Sequence, residues 1–255
     1  MIKKGLIGHT GFIGNFLKKK LSIKYNFSSK NISEITKYKF DKIYCAAPSS
    51  LMWKANKNLL NDFKNIINLC STLNKAKINK FILISSIEVY NKKTNCNEKS
   101  PTSTQSLTYG SNRAFFENFI KTRFVDHHII RLPIVYGYGQ KKNIIFDLVN
   151  NNCVENINKN NILQFYPIKM LINDINKVIN HKLKFCNITS EQIKVTEILE
   201  KIKKKDFVTL KNLPLRRYNM KSIFANHWNN KNYNYSKKFI LNDIKKFYYN
   251  EIFNK

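Results

Sequence analysis

Lys4-Gly5-Leu6-Ile7-Gly8-His9-Thr10-Gly11-Phe12-Ile13-Gly14 is the stretch that decides the fold of this chain. A short apolar run enters a turn with glycine at every third position. An amphipathic stretch carrying Phe16, Leu17 and Leu21 leaves it. The bare spacing Gly8-x-x-Gly11-x-x-Gly14 would say little. Set between a strand and a helix, it is the turn that offers backbone amides and a helix N-terminus to a pyrophosphate. The 255 residues hold only seven glycines, where about 18 would be usual. Each of the seven, including Gly110, Gly137 and Gly139, is therefore expected to mark backbone geometry closed to other residues.

Outward from that turn, strand and helix signals alternate. Apolar runs at 4–8, 25–28, 42–46, 80–85 and 129–135 read as strands. Leu59, Phe63, Ile66, Ile67, Cys70 and Leu73 recur at helical spacing, as do Phe115, Phe116, Phe119, Ile120 and Phe124. This alternation predicts an α/β, Rossmann-type doubly wound parallel sheet with its ligand crevice at the carboxyl ends of the strands. About thirty residues separate Gly14 from Ala46, too few for two further strands with their helices, so one edge strand is expected to be missing. Beyond residue 140 the pattern loosens into Asn-rich stretches, with helices expected at 173–180 and 195–202 and a strand at 185–189. A last helix should open at Ser236 with Phe239, Ile240, Ile244, Phe247 and Tyr248 on one face. The expected organisation is one domain over 1–255, with a nucleotide-binding core at 1–140 and a smaller lobe at 141–255.

Forty-five Lys and Arg face 16 Asp and Glu, a formal charge of +29. Only Arg113, Arg123, Arg131, Arg216 and Arg217 are arginines, and the lysines are scattered along the chain. Nucleic-acid recognition favours arginine forks and a localised patch. The charge therefore reads as solvated lysine faces, with no nucleic-acid partner. Five cysteines, an odd number without a C-x-x-C pair, point to buried thiols in a reducing compartment. No leader and no apolar run of membrane-spanning length is evident, so the expected location is the cytoplasm. His127-His128 lacks companions at metal-ligand spacing, and no metal site is expected.

Two further stretches carry chemistry. Lys80-Phe-Ile-Leu-Ile-Ser85-Ser86 is an apolar strand ending in hydroxyls, followed by Ile87-Glu88-Val89-Tyr90. Thr108-Tyr109-Gly110-Ser111-Asn112-Arg113 opens an aromatic-rich helix, and Tyr109 and Arg113 stand one turn apart on one face. A cation beneath a tyrosine lowers the phenol pKa and suits it to proton exchange at neutral pH.

With these blocks, Ala46-Ala47 closing a strand and Arg131-Leu132-Pro133-x-x-Tyr136-Gly137-x-Gly139, the chain resembles the extended short-chain dehydrogenase/reductase superfamily. Within it, the chain is most similar to the epimerase/dehydratase family and its uncharacterised, sugar-nucleotide reductase-like NAD(P)-dependent oxidoreductases. The resemblance covers most of the chain and implies NADP or NAD as cofactor and a nucleotide-sugar as substrate. It implies Tyr109 as acid/base, Ser86 as hydrogen-bond partner of the reacting oxygen, and Arg113 in the position of the lysine that binds the nicotinamide ribose. Gly8, Thr10, Gly11, Phe12, Ile13, Gly14, Ser29, Lys30, Ala46, Ala47 and Pro133 would join Tyr109 and Arg113 around the cofactor. Trp53, Glu88 and Tyr136 would face the substrate, and the region beyond 140 would be mainly the substrate lobe. By the same resemblance, the helices over 57–74 and 110–124 would be natural faces of a homodimer.

The chain also departs from that pattern. Arginine replaces the ribose lysine and does not shuttle protons. Ile87-Glu88 stands where the dehydratase branch has an Asp-Glu pair, which disfavours dehydration. Asp62 falls about where the family often has Asn. Ser28-Ser29-Lys30-Asn31 replaces the acidic residue that would grip a ribose 2′-hydroxyl, and small hydroxyls with a cation suit a 2′-phosphate, hence NADP. His9, inside the turn, reads as an exposed loop residue. The chemistry left open is reduction of a keto-sugar or epimerisation with retained NAD; outside enzymology the rivals are a catalytically idle NAD(P)-binding protein and, from the +29 charge, a polyanion-binding one.

Overall fold

The structure is a computed structural model and describes residues 2–49, 52–103, 106–204 and 207–253. Six strands build the central sheet: β1 (Lys4–Ile7), β2 (Tyr25–Phe27), β3 (Lys39–Cys45), β4 (Lys77–Ser86), β5 (Asp126–Leu132) and β6 (Phe185–Asn187). Their order is β6-β5-β4-β3-β1-β2. β1 runs parallel to both β2 and β3, and β3 parallel to β4. The helices of this part are α1 (Phe12–Leu21), α2 (Met52–Lys57), α3 (Leu59–Lys75) and α4 (Tyr109–Arg123). This is the expected α/β Rossmann-type sheet with flanking helices.

The trimmed edge is also present. The doubly wound order 3-2-1-4-5-6 puts two strands on one side of the first. Here only β2 lies there, and the chain returns at once to β3 on the other side of β1. A 3-10 turn, Ile32–Lys37, makes that crossing, with Ile35 fully buried beneath it. Tyr25, Phe27, Tyr38 and Phe40 close the edge as an aromatic cluster with centroids 5.2 to 6.1 Å apart. The Lys3 ammonium lies 5.0 Å from the Tyr38 ring. A three-residue edge strand covered by aromatics offers little template for pairing with another chain.

Ile7, Phe40, Ile43, Phe81 and Leu83 from the strands meet Ile66, Cys70, Leu73, Phe116, Ile120 and Phe124 from the helices in one core. The helical spacing of the α3 residues thus buries one stripe, while Leu60 and Ile67 stay exposed. One strand reading changes. The run 129–135 is divided at Pro133, which has no amide to continue the ladder. β5 stops at Leu132, and Ile134–Tyr136 pairs instead with Phe165–Pro167.

The described chain divides into two compact units: Met1–Asn91, Lys99–Arg131 and Ile172–Cys186 in one, Lys92–Glu98, Leu132–Leu171 and Asn187–Lys255 in the other. The first holds the sheet. The second has short strand pairs, Ile193–Lys194 against Ile162–Leu163 and Asn219–Met220 against Thr94–Cys96, with helices Ile144–Asn150, Val195–Lys201 and Lys237–Phe253. Its polar hub is the buried Glu98 carboxylate, which accepts from the Asn187 amide (2.8 Å), the Ser222 hydroxyl (2.7 Å) and the Ile223 amide (2.9 Å). Ser236 caps the last helix as expected, its Oγ accepting from the Phe239 amide.

Candidate active site

The glycine turn is built by close approach. Gly8 has φ +84°, and a Cβ there would stand 2.9 Å from the Ala46 carbonyl. A Cβ on Gly14 would fall 2.0 Å from the Gly8 carbonyl oxygen, so α1 can seat against the end of β1 only with glycine there. Gly11 differs. It is the N-cap of α1, exposed, with ordinary φ, and a Cβ would meet nothing nearer than 3.6 Å. Nothing within the chain requires glycine at Gly11, so backbone uniqueness does not hold for every glycine. The helix begins with no side-chain cap and no acidic residue in its first turn, leaving the first amides to an outside acceptor. An open glycine and an uncapped ten-residue helix fit a dinucleotide pyrophosphate, which the turn Gly8–Gly14 with Thr10, Phe12 and Ile13 would hold.

Beyond β2, Asn31 ties its own turn. Its Oδ1 accepts from the Ser28 amide at 2.8 Å and its Nδ2 donates to the Asn26 carbonyl at 3.1 Å. Ser29 and Lys30 stay exposed. His9 is part-buried rather than a plain loop residue: its Nδ1–H donates to the Phe27 carbonyl at 3.0 Å, which also accepts the Gly8 amide. Ala46 continues the ladder to Ile7, and Ala47 follows it.

The second half lies at the carboxyl end of β4. Ser86 caps a 3-10 turn, Ile87–Val89, its Oγ accepting from the Glu88 amide at 3.2 Å. Thr108 and Ser111 form a capping box that starts α4 at Tyr109. A Cβ on Gly110 would lie 2.1 Å from the Glu88 carbonyl oxygen, so α4 begins directly against the turn after Ser86. Tyr109 is buried with the Arg113 guanidinium 4.1 Å from its ring centroid. Burial pushes the Tyr109 phenol above its ordinary range; Arg113 pulls the other way, while Glu88 and Asp62 add to the rise. The net direction is opposite to the lowering expected from the Tyr–Arg spacing, because desolvation of the phenolate outweighs one cation that is itself paired.

Arg113 is clamped by Asp62 at 2.6 and 3.0 Å and by the Ser49 carbonyl at 2.6 Å. Asn112 Nδ2 donates to the same carboxylate at 2.8 Å. One turn further along the same face, Glu117 accepts from the Ser85 hydroxyl at 2.6 Å and pairs with Arg131, whose Nη1 donates to the Tyr90 hydroxyl at 2.7 Å. The i, i+4, i+8 spacing of Tyr109, Arg113 and Glu117 was the signal that could have found Glu117.

Trp53 lies on α2 and is largely exposed, with the Lys57 ammonium 5.1 Å from its ring. Pro133 and Tyr136 belong to the second unit; there Tyr136 is buried and its hydroxyl donates to Asp243 at 2.8 Å. His127 and His128 donate Nδ1–H to the Phe124 and Leu183 carbonyls. Cys45, Cys70, Cys96 and Cys186 are buried free thiols and Cys153 is exposed. Among the described residues no helix is long and apolar enough to cross a membrane.

The family model for the NAD dependent epimerase/dehydratase family matches residues 26–170, more than half of the chain. The chain belongs to that family. It is an NAD(P)-dependent enzyme of the short-chain dehydrogenase type. The family match starts beyond the glycine turn, whose assignment rests on the geometry above. Among solved structures, the chain is similar to a dTDP-4-dehydrorhamnose reductase from Yersinia enterocolitica, at 15% identity and TM-score 0.75, covering 99% of this chain and 100% of that one. It is similar to the UDP-glucose 4-epimerase of Thermotoga maritima, solved with UDP-glucose, at 15% identity and TM-score 0.72, covering 98% of each. A dTDP-glucose 4,6-dehydratase from Bacillus anthracis in complex with NAD gives 18% identity and TM-score 0.69 over 98% of this chain and 97% of that one. At these identities the likeness is one of fold. A search of curated protein sequences gave no match.

Proposed function

We propose that this epimerase/dehydratase-family enzyme reduces a keto-sugar carried on a nucleotide, with Tyr109 as the proton donor. The observation that supports the reading is that α4, which opens with Tyr109, starts against the turn that Ser86 caps at the carboxyl end of β4, through the close approach of Gly110 to the Glu88 carbonyl. A bound reduced nicotinamide supplies the hydride. Tyr109 gives its phenolic proton to the substrate oxygen as negative charge develops there and is reprotonated from water. Ser86, whose Oγ accepts from Glu88, keeps its own hydroxyl proton to polarise the same oxygen. Glu88 and Trp53 are the proposed substrate contacts of the first unit; the resemblance implies a cofactor role for Pro133 and a substrate role for Tyr136. A raised phenol pKa favours the acid role over the base role that starts an epimerisation.

Exposed Ser29 and Lys30 favour NADP over NAD, since a lysine with a small hydroxyl suits a 2′-phosphate. Four buried free thiols favour a reducing, cytoplasmic setting. The proposed domain plan remains one enzyme unit over 1–255, with a substrate lobe mainly in 141–255, and pairing of α3 and α4 in a homodimer is the proposed assembly.

The test is NADPH oxidation with dTDP-4-dehydrorhamnose, beside conversion of UDP-glucose without net cofactor change. Reduction that Tyr109→Phe cuts by about 100-fold to 10,000-fold supports the proposal. UDP-glucose conversion alone would replace it with epimerisation. Reduction indifferent to Tyr109→Phe would sink the tyrosine mechanism. NADPH binding with neither reaction across a nucleotide-sugar panel would leave an idle cofactor-binding protein.

A further inference from the structure

Arg113 has partners of a kind the ribose lysine would not take. Nη1 donates to Asp62 Oδ2 at 2.6 Å, and Nη2 donates to Oδ1 at 3.0 Å and to the Ser49 carbonyl at 2.6 Å. Nε is buried and makes no hydrogen bond. A bidentate Arg–carboxylate pair fixes the plane of the guanidinium. Here the guanidinium Cζ lies 4.1 Å from the Tyr109 ring centroid, in a side chain only 5% exposed. Asp62 is itself held. It sits in the first turn of α3, whose N-cap Asn58 accepts from the Asn61 amide, and it takes a further bond from Asn112. A carboxylate in a first helical turn is favoured by the helix dipole.

We propose that Asp62 is a positioning residue that locks Arg113 as a charge-compensated platform under Tyr109, so that the tyrosine hydroxyl is presented as a proton donor and Arg113 does not extend to the nicotinamide ribose. This rests on the reading of Tyr109 as the acid. A lone guanidinium under a phenol stabilises the phenolate. The same guanidinium paired with a carboxylate presents a weaker field than a lone one. The charged groups acting on Tyr109 are Arg113 from its own helix, Asp62 from α3 and Glu88 from the turn after β4. Burial is the largest effect and keeps the phenol protonated; Arg113 opposes it through its charge and a side-chain hydrogen bond, while Glu88 and Asp62 add smaller rises. The planar fork explains arginine: it can stack on the ring and hold both Asp62 oxygens, which lysine cannot.

Asp62→Asn keeps the shape and removes the charge. In protein without cofactor, the tyrosinate absorbance that Tyr109→Phe abolishes reports the ionisation of this one phenol, in each background. The expected result is ionisation at lower pH in Asp62→Asn, with an acid constant larger by at least about tenfold. An unchanged ionisation overturns the proposal. Asp62→Leu combined with Arg113→Leu leaves no unpaired charge, and its dissociation constants for NADPH and NADH should stay within about threefold of the parent. A loss of about tenfold or more means that Arg113 grips the cofactor directly and also overturns it. If that double variant does not fold, the phenol titration decides alone. Failure of the parent protein to bind either cofactor would instead refute the functional reading, and the phenol titration would still be readable.

Discussion

Arg131 and Glu117 form an ion pair at 2.6 Å with side chains 2% and 0% exposed. The carboxylate also takes the Ser85 hydroxyl and the guanidinium also serves Tyr90, so one pair ties α4, β5, β4 and the turn after it. Breaking it by Glu117→Ala leaves Arg131 charged and unpaired in the interior, which should cost about 3–5 kcal/mol. At this chain length each kcal/mol lowers Tm by about 2–4 °C. Thermal unfolding checks this, and a drop under about 3 °C would show that the pair is not what holds α4 down.

Gly11 and Gly14 should separate binding from folding. Gly14→Ala drives a methyl to 2.0 Å from a backbone oxygen and should lower Tm markedly along with cofactor affinity. Gly11→Ala has room in the protein. It should leave Tm within about 2 °C while weakening NADPH binding by about tenfold or more, because the methyl stands where the pyrophosphate must approach. Equal effects of the two changes would refute this division.

Lys30→Glu should reverse cofactor choice. The exposed lysine is replaced by the charge that repels a 2′-phosphate and accepts a 2′-hydroxyl. NADPH affinity is expected to fall by about tenfold with NADH unchanged or improved. Parallel titrations with both dinucleotides measure it; equal losses for both would mean that Lys30 does not read the ribose.

Acid should destabilise the protein through His127 and His128. Burial lowers both pKa values, against the raising effect of their carbonyl hydrogen bonds. The unfolded chain therefore binds more protons below about pH 6.5, and stability is complete above that value and is lost as pH falls toward the folded values. Tm measured between about pH 7.5 and 5.5 should decline, and His128→Gln should flatten part of the slope relative to its own value at the upper end. A flat profile in the parent chain would exclude both histidines as the cause.

The sheet was legible because its signals are local. Gly8 and Gly14 stand in a strand–turn–helix context, Leu59 to Leu73 keep a helical period, and the short span from Gly14 to Ala46 leaves no room for another strand; each of these is a property of neighbours in sequence. Pro133 could have been read as a break in the run 129–135 from its missing amide. The exchange of sheets that it causes could not, since Phe165–Pro167, its new partner, lies far along the chain.

The order of chemistry-bearing residues, from the glycine turn through Ser86 to Tyr109 and Arg113, is written in the sequence, as is membership of the epimerase/dehydratase family. What those residues touch is not. The tyrosine–arginine spacing implied a lowered phenol pKa, but only the folded chain brings Asp62, 51 residues from Arg113, within 2.6 Å of it. Electrostatics at a site depend on distance and solvent exclusion rather than on spacing along the backbone. The tertiary structure therefore decided the charge state that Tyr109 meets, where the sequence alone determined only that a tyrosine and a cation would share one face of a helix.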